Sequence, residues 1–592
     1  MSLMRNSKLL NKKLYQYLLP AVIMVFAMQF GSLIDGVILG NMISGEALAV
    51  SSLVSPVLYI IQLPGFALGI GGSIIMGIYL GKREVEKGSK ALSVCLISGS
   101  IISLIIAVIS PFVSRPLASL FTTSEMLDLG YNYVFGYMLT IPVLTIALII
   151  APVMTTDNNP NLSSALFIVA NVFKIGSELL FIDVFKWGMF GAAISTSFGY
   201  LVSLVTIVFY IKSKKRMLKF SLKYTKDFFK HLKECIKASL STILDFALLS
   251  VQLAVSNIII AKLIPDTEQQ IIFGIISTFT IGFDLFVGGI LQLIPTLCTV
   301  CYGEEDYYSL KSITNRIYAL TIIVTSVLTV ILMIFPSFYC SIFGFEYSDS
   351  SGFLIMRVFL LSFIPLELNK FSQSYYPSIE KNTPSVITVV LREGVLIIPL
   401  SVVLLITNGL MGYSIAHVIA ETLCLVITYA FILIYNKKNK KKYGIFMIPP
   451  YSMKDAYDVT IDNDINKVSV LSNEIATYCL NHGINNYDAQ IISLAGEEIT
   501  SNIINYGFKK GSNNTIDVNL KIVNDKLILR IRDDGQVFDP TKYESPQSEN
   551  ITSGIILIRR LLNKMSYMRV LSTNNTIMEI NIGEEKGEKN GD

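Results

Sequence analysis

Two groups of residues have types and spacings that could do chemistry, and the first lies in the last quarter of the chain. Glu498 and Asn502 fall in a helical pattern, which puts them one turn apart on a single face. Asp533-x-Gly535 directly follows a strand pattern, and Gly554 opens a further helical pattern. The sequence has no GxxxxGK[ST] loop, which excludes a P-loop ATPase of the ABC type. The acid-amide pair, the Asp-x-Gly turn and the later glycine together indicate another kind of nucleotide site.

The second group consists of ionisable residues inside long apolar runs. Such a residue costs roughly 2.5 to 3.5 kcal/mol on insertion scales, so its retention needs a reason. Lys174 and Glu178 are four residues apart and share one helix face. The full set is Asp35, Lys174, Glu178, Asp245, Asp284, Glu367, Arg392 and Glu421.

Several members of this second group have a structural interpretation. Spans can end near Asp245, Asp284, Glu367 and Glu421, so we interpret these four as interfacial or paired. Arg392 and its neighbour Glu393 fall near the middle of a span, and the sequence does not identify the residues that they pair with. We interpret His417 as a packed helix residue rather than a proton relay.

The composition is that of a chain solvated mostly by lipid. Of 592 residues, 52% are hydrophobic and only 16% are charged, whereas a soluble domain carries about a quarter charged residues. The net charge is +4, and the basic residues cluster beside apolar segments instead of forming a nucleic-acid-binding face. We therefore expect a lipid bilayer as surroundings and no nucleic acid as partner. The seven cysteines are scattered, and we expect them to be reduced.

Twelve runs satisfy the requirement of about 20 apolar residues for a membrane helix. The runs are 14–40, 51–80, 91–113, 129–154, 161–183, 188–211, 236–263, 270–300, 315–343, 354–378, 384–407 and 411–435. Lys and Arg follow the second, sixth and twelfth runs, whereas loops such as 41–46 and 264–269 carry none. The positive-inside bias then predicts cytoplasmic termini.

The chain also repeats itself. The pattern from Gly188 to Ile194 matches the pattern from Gly409 to Ile415, and two further loop matches have nearly the same offset. Repeated halves with a site between them are typical of alternating-access transporters. We therefore predict an all-α membrane bundle of twelve helices in two six-helix repeats, at 1–225 and 226–440.

A soluble domain follows the membrane region. After a linker at 441–465 that contains Pro449-Pro450, the segment 466–585 has two helical patterns, at 468–482 and 488–507. Alternating strands follow at 516–522 and 527–531, joined by Asn524-Asp525, and a last strand covers 578–582. This order predicts an α+β sandwich.

Residues 10–435 resemble the multidrug and toxic compound extrusion (MATE) family. The similarity rests on Pro20, Asp35 with Gly40, Gly81, the motif at 188–193, and the stretch from Gly289 to Gly303. The resemblance implies export of small cationic or amphipathic compounds in exchange for protons or sodium.

The family's amino-half cation site has counterparts here. Its first-span Asp and sixth-span Thr correspond to Asp35 and Thr196. Its fifth-span Asn and Asp correspond to Lys174 and Glu178, so a lysine stands where the family has an amide. An ammonium beside carboxylates keeps them ionised and fills the place of a coupling cation, which favours protons over sodium.

The soluble domain resembles the GHKL ATPase fold, in its anti-sigma-factor serine kinase branch, over residues 466–582. The resemblance implies that Asn502 binds Mg²⁺ on the phosphates of ATP and that Glu498 is the general base. It also implies that Asp533 accepts a hydrogen bond from adenine, that Gly535 lets the backbone approach the base, and that Gly554 presents amides to phosphate. One departure is Thr552, which stands where the family's lid has a glycine.

These features predict a secondary-active exporter of the bacterial cytoplasmic membrane whose ATP-binding domain regulates it or acts as a serine kinase. Its partner would then be an anti-anti-sigma-like protein. The alternative is a membrane-anchored signalling kinase whose transporter portion senses a ligand, and Lys174 favours that alternative. A third possibility, ATP-driven pumping, predicts that Glu498→Ala abolishes transport.

Overall fold

Contacts within the chain divide it into two units. We call Gln16–Pro449 the helical unit, and Met1–Tyr15 with Pro450–Asp592 the sheet unit. The first residues therefore group with the carboxyl-terminal domain and not with the first transporter half. The computed structural model describes residues 3–222, 227–263, 272–273, 275–276, 279–280, 282–338, 350–441, 443–450, 456–509, 512–523, 525–544 and 554–582.

The amino-terminal half of the membrane region is built from long apolar helices. α1 begins in the sheet unit and continues into the helical unit. In chain order the helices are α1 (Lys8–Ile38), α2 (Gly45–Leu53), α3 (Ser55–Gly81), α4 (Val85–Ser119), α5 (Leu127–Thr156), α6 (Pro160–Leu179), α7 (Gly188–Ser203) and α8 (Val205–Lys212).

The second half repeats this plan with more interruptions. Its helices are α9 (Phe228–Ala238), α10 (Leu240–Leu263), α11 (Gly289–Leu291), α12 (Thr299–Gly303), α13 (Tyr307–Ile334), α14 (Ser350–Leu360), α15 (Phe363–Ser378), α16 (Asn382–Val389) and α17 (Ile397–Lys438). Short π-helical segments interrupt both halves at Leu39–Ile43, Leu180–Val184, Asp284–Gly288, Ile294–Cys298 and Val390–Leu396. Such segments often mark functional positions in helices.

The span count agrees with the twelve predicted from sequence. Among the described residues, ten helices are long and apolar enough to cross a membrane, and the bent pair Phe228–Ala238 and Leu240–Ser256 adds another. One of the ten, Asn382–Lys438, has 57 residues and is too long for one span. It breaks at Gly409, where φ is 61° and ψ is −150°, a conformation open to glycine. This break divides it into two spans.

The outward face of α4 shows how the helical unit meets lipid. Leu104, Val108 and Phe112 recur every four residues and are exposed, by 54%, 71% and 80%. Ser103 and Ser110 on the opposite side are fully buried. A helix that is apolar outside and serine-lined inside is suited to lipid on its outer face.

The sheet unit has a five-stranded antiparallel sheet with the order β1-β2-β3-β5-β4. Its elements are β1 (Ala456–Asp462), α18 (Asn466–Asn481), α19 (Asn486–Asn502), β2 (Thr515–Val523), β3 (Lys526–Asp533), α20 (Gly554–Leu561), β4 (Lys564–Val570) and β5 (Thr573–Asn581). Val518 pairs with Ile531 in the sheet, and both pack in one core with Ile475 of α18 and Ile492 of α19. The predicted α+β sandwich is confirmed.

Two strands in this sheet have no counterpart in the sequence prediction. β1 lies in the segment assigned to the linker, and β4 was not predicted. In the β2–β3 hairpin, Val523 pairs with Lys526 and Asp525 has a φ of 57°, which fits a two-residue turn. Asn524 lies outside the described residues.

Candidate functional site

The candidate nucleotide site is built first on α19. Its last turns carry Glu498 and Asn502, which helical periodicity places on one face. The Nδ2 of Asn502 donates to the backbone oxygen of Glu498 at 2.7 Å and to its Oε1 at 2.8 Å. Because Nδ2 is engaged by Glu498, the Oδ1 of Asn502 can serve as a hard oxygen ligand of the kind that Mg²⁺ prefers. The pair therefore fits a Mg²⁺-nucleotide complex.

The start of α20 lies directly against this pair. A side chain at Gly554 would place its Cβ 2.4 Å from the carboxyl carbon and Oε1 of Glu498. A Cβ at this position would require the Glu498 carboxylate to move, so glycine lets the start of α20 lie against Glu498. The structure therefore brings Gly554 next to Glu498, while the roles predicted for the two residues towards a nucleotide stay predictions. Ser553 and the departure at Thr552 lie outside the described residues.

Asp533 is the buried acid at the end of β3. Its Oδ1 accepts hydrogen bonds from the Gly535 amide at 2.8 Å and from Asn574 Nδ2 at 2.9 Å. Both bonds end on Oδ1, so Oδ2 can accept one from an adenine amino group. Burial raises the pKa of Asp533 to about 6, although these two hydrogen bonds act in the opposite direction.

Asn574 is a site residue that the sequence analysis missed. It lies opposite Asp533 in the β3–β5 ladder. Its Oδ1 accepts hydrogen bonds from the Tyr567 hydroxyl at 2.8 Å and from Arg569 at 3.1 Å, which turns its Nδ2 towards Asp533. No local motif signals this role, because it depends on strand register.

Gly535 joins the Asp533 turn to the end of the α19 region. A Cβ at Gly535 would lie 2.8 Å from the carbonyl oxygen of Gly507. The amide of Gln536 donates to that same oxygen at 2.9 Å. Gly507 ends the π-helical segment that follows Asn502. The turn with Asp533 and the helix with Asn502 are therefore fixed to each other.

A second candidate site lies in the amino half of the helical unit. Lys174 on α6 forms an ion pair with Asp35 on α1. Glu178, one turn further along α6, is only 1% exposed. Asp35 Oδ1 and Glu178 Oε2 are buried acceptors without a hydrogen-bond partner among the described residues. The predicted role of Asp35 and Glu178 in proton coupling stays a prediction.

Close helix packing places Lys174 in this site. A Cβ at Gly199 of α7 would lie 2.3 Å from the carbonyl oxygen of Ala170 and 2.7 Å from Lys174 Cβ. Glycine therefore lets α7 approach α6 at the level of Lys174. Thr196 lies one turn before Gly199 on the same face of α7 and is buried. Within the described part of the chain, Thr196 forms no hydrogen bond to the acids, so its predicted role stays a prediction.

Asn171 is a further residue that the sequence analysis missed. Its Nδ2 donates to the carbonyl oxygens of Ala27 and Phe167, each at 2.9 Å. One bond is within α6 and the other reaches α1. Asn171 thus ties together the two helices that carry Lys174 and Asp35.

The acids of the carboxyl half form two ion-pair groups. In the first, Arg392 contacts Glu393 at 2.8 Å, Glu421 at 2.9 Å and Asp245 at 3.7 Å. Asn369 also donates to Glu421 Oε2 at 2.8 Å. Arg392 and Glu393 lie in the π-helical segment Val390–Leu396. The partners of Arg392, which the sequence analysis could not name, are therefore its neighbour Glu393 and acids of α10 and α17.

The second group is centred on Lys370, which the sequence analysis did not single out. Lys370 contacts Asp284 at 2.6 Å and Glu367 at 3.1 Å. The interpretation of these acids as paired agrees with the contacts. His417 is buried, its ring lies against the Tyr413 ring at a tilt of 46°, and its Nδ1 is 3.1 Å from the Tyr413 carbonyl oxygen, as expected of a packed helix residue.

A narrow cavity of about 10 Å³ lies between α10 and α17, which is room for about one water molecule. Its wall is mostly aliphatic, with Gln252, Ser256, Ser401 and Tyr413 as polar members. A cavity of this size does not hold a drug-sized ligand.

Comparison with known families confirms the resemblance to MATE transporters and to a GHKL-type ATPase domain, whereas the anti-sigma-factor serine kinase branch stays a prediction. Residues 20–179 match the MatE family model, and residues 461–580 match the model described as "Histidine kinase-like ATPase domain". The second match implies ATP binding, and the first, together with the apolar helices, indicates a multi-pass membrane protein.

Individual relatives are similar to the helical unit. A multidrug export protein, MepA, from Staphylococcus haemolyticus is 20% identical over 438 residues, which cover 72% of this chain and 94% of the relative. MepA from Staphylococcus saprophyticus is 22% identical over 406 residues, which cover 66% and 85%.

Solved structures show the same fold. A MOP superfamily transporter from Pyrococcus furiosus has a TM-score of 0.65 at 17% identity and covers 73% of this chain and 97% of its own. A Vibrio cholerae MATE transporter has a TM-score of 0.64 at 15% identity, with coverage of 74% and 98%.

Proposed function

We propose that this chain, which joins a MATE domain to a histidine kinase-like ATPase domain, exports cationic or amphipathic compounds in exchange for protons and is regulated by ATP. The observation that carries the transport proposal is the buried Lys174–Asp35 ion pair with Glu178 beside it. The similarity to MepA supports a multidrug substrate range.

The proposed coupling step is protonation of the amino-half acids. While Asp35 and Glu178 are ionised, Lys174 offsets one of the two negative charges. A proton that enters from outside neutralises Asp35 or Glu178 at a buried, unpartnered oxygen. The Lys174–Asp35 pair then loosens, the amino half repacks, and its attraction for a cationic substrate falls. The substrate leaves as the proton enters.

Protons are favoured over sodium because of the same lysine. The Lys174 ammonium forms an ion pair with the Asp35 carboxylate. A coupling cation would need the same carboxylate as a ligand. A sodium ion there would meet a like charge in a low-dielectric site, which costs several kcal/mol at typical effective dielectric constants. A proton adds no second cation beside Lys174, because it is taken up by the carboxylate itself.

The sheet unit is proposed as the regulatory part. Asn502 would hold Mg²⁺, which neutralises phosphate charge, while Asp533 Oδ2 accepts from adenine and the α20 amides meet the phosphates. Glu498 contacts Gly554 at the start of α20 and is placed to accept a proton from an attacking hydroxyl. A serine kinase activity towards an anti-anti-sigma-like protein would use these same residues.

Both termini are proposed to be cytoplasmic, in a bacterial cytoplasmic membrane. The amino-terminal residues and the carboxyl-terminal domain form a single unit, which supports termini on the same side of the membrane. An even number of spans has the same consequence. The basic loops after the second, sixth and twelfth spans then face the cytoplasm.

The alternative is a membrane-anchored signalling kinase whose helical unit senses a ligand. The observation that favours it is again Lys174, because a stable internal ion pair could replace a coupling cation permanently. This alternative predicts ligand-dependent phosphorylation without net export.

Efflux measurements separate these functions. Purified full-length protein is reconstituted into liposomes, and the liposomes are loaded with a fluorescent cation. Export of the cation is followed under an imposed pH gradient or sodium gradient. We expect the pH gradient to drive export in the wild type and Asp35→Asn to abolish it. Undiminished export in Asp35→Asn would remove the coupling proposal, and export absent under both gradients would favour the signalling alternative.

A further inference from the structure

The amino-terminal residues before the first membrane span are part of the ATP-binding unit. The carbonyl oxygen of Met4 accepts from the Thr460 amide at 3.3 Å, and the Asn6 amide donates to Thr460 Oγ1 at 3.1 Å. These contacts run along β1, the outer strand of the described sheet. We call residues 3–13 the amino-terminal arm.

A buried arginine fixes the arm to the sheet. Arg5 contacts Asp517 at 2.7 Å and Asp458 at 3.5 Å. All three side chains are at most 4% exposed. A buried charge without its partners would be costly, so this group holds the arm in one register.

The end of the arm reaches the strand that carries the adenine-binding acid. The Nζ of Lys12 pairs with Asp534 Oδ2 at 2.6 Å. The Asp534 side chain is only 2% exposed, and its other oxygen accepts from Asn514 at 2.6 Å. Asp534 directly follows Asp533. Lys12 therefore acts on the backbone that presents Asp533 to the pocket.

The next residue of the arm holds the second strand of the pocket. Lys13, which is 5% exposed, donates from Nζ to the carbonyl oxygen of Ser572 at 3.0 Å. Ser572 lies in the β4–β5 turn, two residues before Asn574, and has a φ of 55°. Asn574 donates to Asp533. Lys12 and Lys13 thus bind the two chain segments that carry Asp533 and Asn574, whose side chains form the proposed adenine contact.

We propose that the arm is a positioning element of the nucleotide pocket and couples ATP occupancy to the first membrane helix. Lys12 and Lys13 are positioning residues, because they act through Asp534 and Ser572. Both lie in α1, which continues to Ile38 and carries Asp35. Ordering of the pocket by ATP orders the start of the helix that bears the coupling acid. This inference rests on the proposed ATP binding.

Such coupling is reciprocal by thermodynamic necessity. If the arm favours the nucleotide-bound arrangement, the nucleotide must favour the docked arm by the same factor. The arm should therefore exchange amide hydrogens more slowly when ATP is bound.

The test uses the full-length protein in lipid nanodiscs. Affinity for a non-hydrolysable ATP analogue is measured by titration, and hydrogen exchange of residues 3–13 is measured with and without the analogue. We expect the analogue to slow exchange in the arm of the wild type. Lys12→Gln should weaken binding by about fivefold, the low end of typical coupling factors, and should remove the slowing.

Two control variants make the result specific. Lys8 is in the same arm and, like Lys12, has an exposed side chain, but its partner Asp462, at 3.0 Å, is also exposed and lies at the end of β1, whereas the Asp534 side chain is buried. Lys8→Gln should leave affinity and slowing as in the wild type. Lys12→Arg keeps the charge and should retain both.

The outcomes are distinguishable. If the wild type binds no analogue, the proposed ATP regulation fails, and this inference fails with it. If the wild type binds but Lys12→Gln binds equally well and the arm exchanges at the same rate with and without analogue, only the positioning role is overturned.

Discussion

The carboxylates of the three ion-pair groups in the helical unit face cations, whereas Asp533 of the nucleotide pocket faces neutral donors. Asp35 pairs with Lys174, and the carboxyl-half acids surround Arg392 and Lys370. In the sheet unit, Asp533 accepts from Asn574 and a backbone amide. A nearby cation keeps a carboxylate ionised until a proton binds the carboxylate and weakens the ion pair, and this behaviour suits ion exchange. Neutral donors orient a carboxylate without cancelling its charge, which suits recognition of a ligand.

The two halves of the helical unit also differ. The amino-half site has one cation, Lys174, for two acids. The two ion-pair groups of the carboxyl half, among the described residues, have two cations for five acids: Asp245, Asp284, Glu367, Glu393 and Glu421. Three carboxyl-half acids share Arg392. Removal of this side chain therefore deprives more carboxylates of their cation than removal of Lys174 or Lys370 does.

The largest expected effect is therefore that of Arg392→Gln. It leaves Glu393 and Glu421 buried without their cation, and breaking a buried pair costs about 3 to 5 kcal/mol. We expect a clear fall in the thermal unfolding midpoint of the purified protein. Arg357→Gln is the matched control, because Arg357 is exposed and its one hydrogen bond within the described ranges goes to the Met333 carbonyl. Equal midpoints for the two variants would mean that the carboxyl-half pairs do not stabilise the helical unit.

The next largest effect is expected for Asp533→Asn. The substitution removes the charged acceptor of the adenine contact, and a hydrogen bond to a charged group is worth about 1.5 to 3 kcal/mol. ATP affinity should fall by about 10- to 100-fold in calorimetric titration. Asp525→Asn changes the same residue type in an exposed turn and should have no effect. Unaltered affinity in Asp533→Asn would place the adenine elsewhere.

A smaller effect is expected from pH. Burial raises the pKa of Asp533 to about 6, so this carboxyl gains a proton as the pH falls through 6. Protonation removes the acceptor, and ATP affinity at pH 5.5 should be about fourfold lower than at pH 7.5. Asp533→Asn should lack this step. A pH profile identical in the two proteins would show that another group titrates.

The smallest effect on transport is expected for Glu498→Gln. Glu498 is placed to act on ATP and has no part in the ion pairs of the helical unit. Export driven by a pH gradient should continue at the wild-type rate, while any ATP turnover is lost. Loss of gradient-driven export in this variant, with nucleotide affinity retained, would instead support an ATP-driven pump.

Local pattern was sufficient for the elements that sequence periodicity encodes. The spacing of Glu498 and Asn502 predicts one helix face, and the structure joins these two side chains by a hydrogen bond. The apolar runs predict the spans, and the Lys174–Glu178 spacing puts both on α6. These features depend only on neighbouring residues.

The features that were missed depend on pairing between distant segments. Asn574 gains its role from strand register, and Lys370 from the approach of the π-helical segment that carries Asp284. In sequence, the basic residues of the amino-terminal arm are typical of the flank of a first membrane span. Nothing in the local sequence indicates that Arg5 is buried between two aspartates. Tertiary contacts of this kind leave no periodic signal.

The central claim is that the acids beside Lys174 carry the exchanged proton. Its most direct test is proton release from the detergent-solubilised protein, measured with a pH indicator in weak buffer when tetraphenylphosphonium is added. The account predicts release from the wild type and from Glu498→Gln, and little from Asp35→Asn or Glu178→Gln. Equal release from the wild type and from both amino-half variants would contradict it.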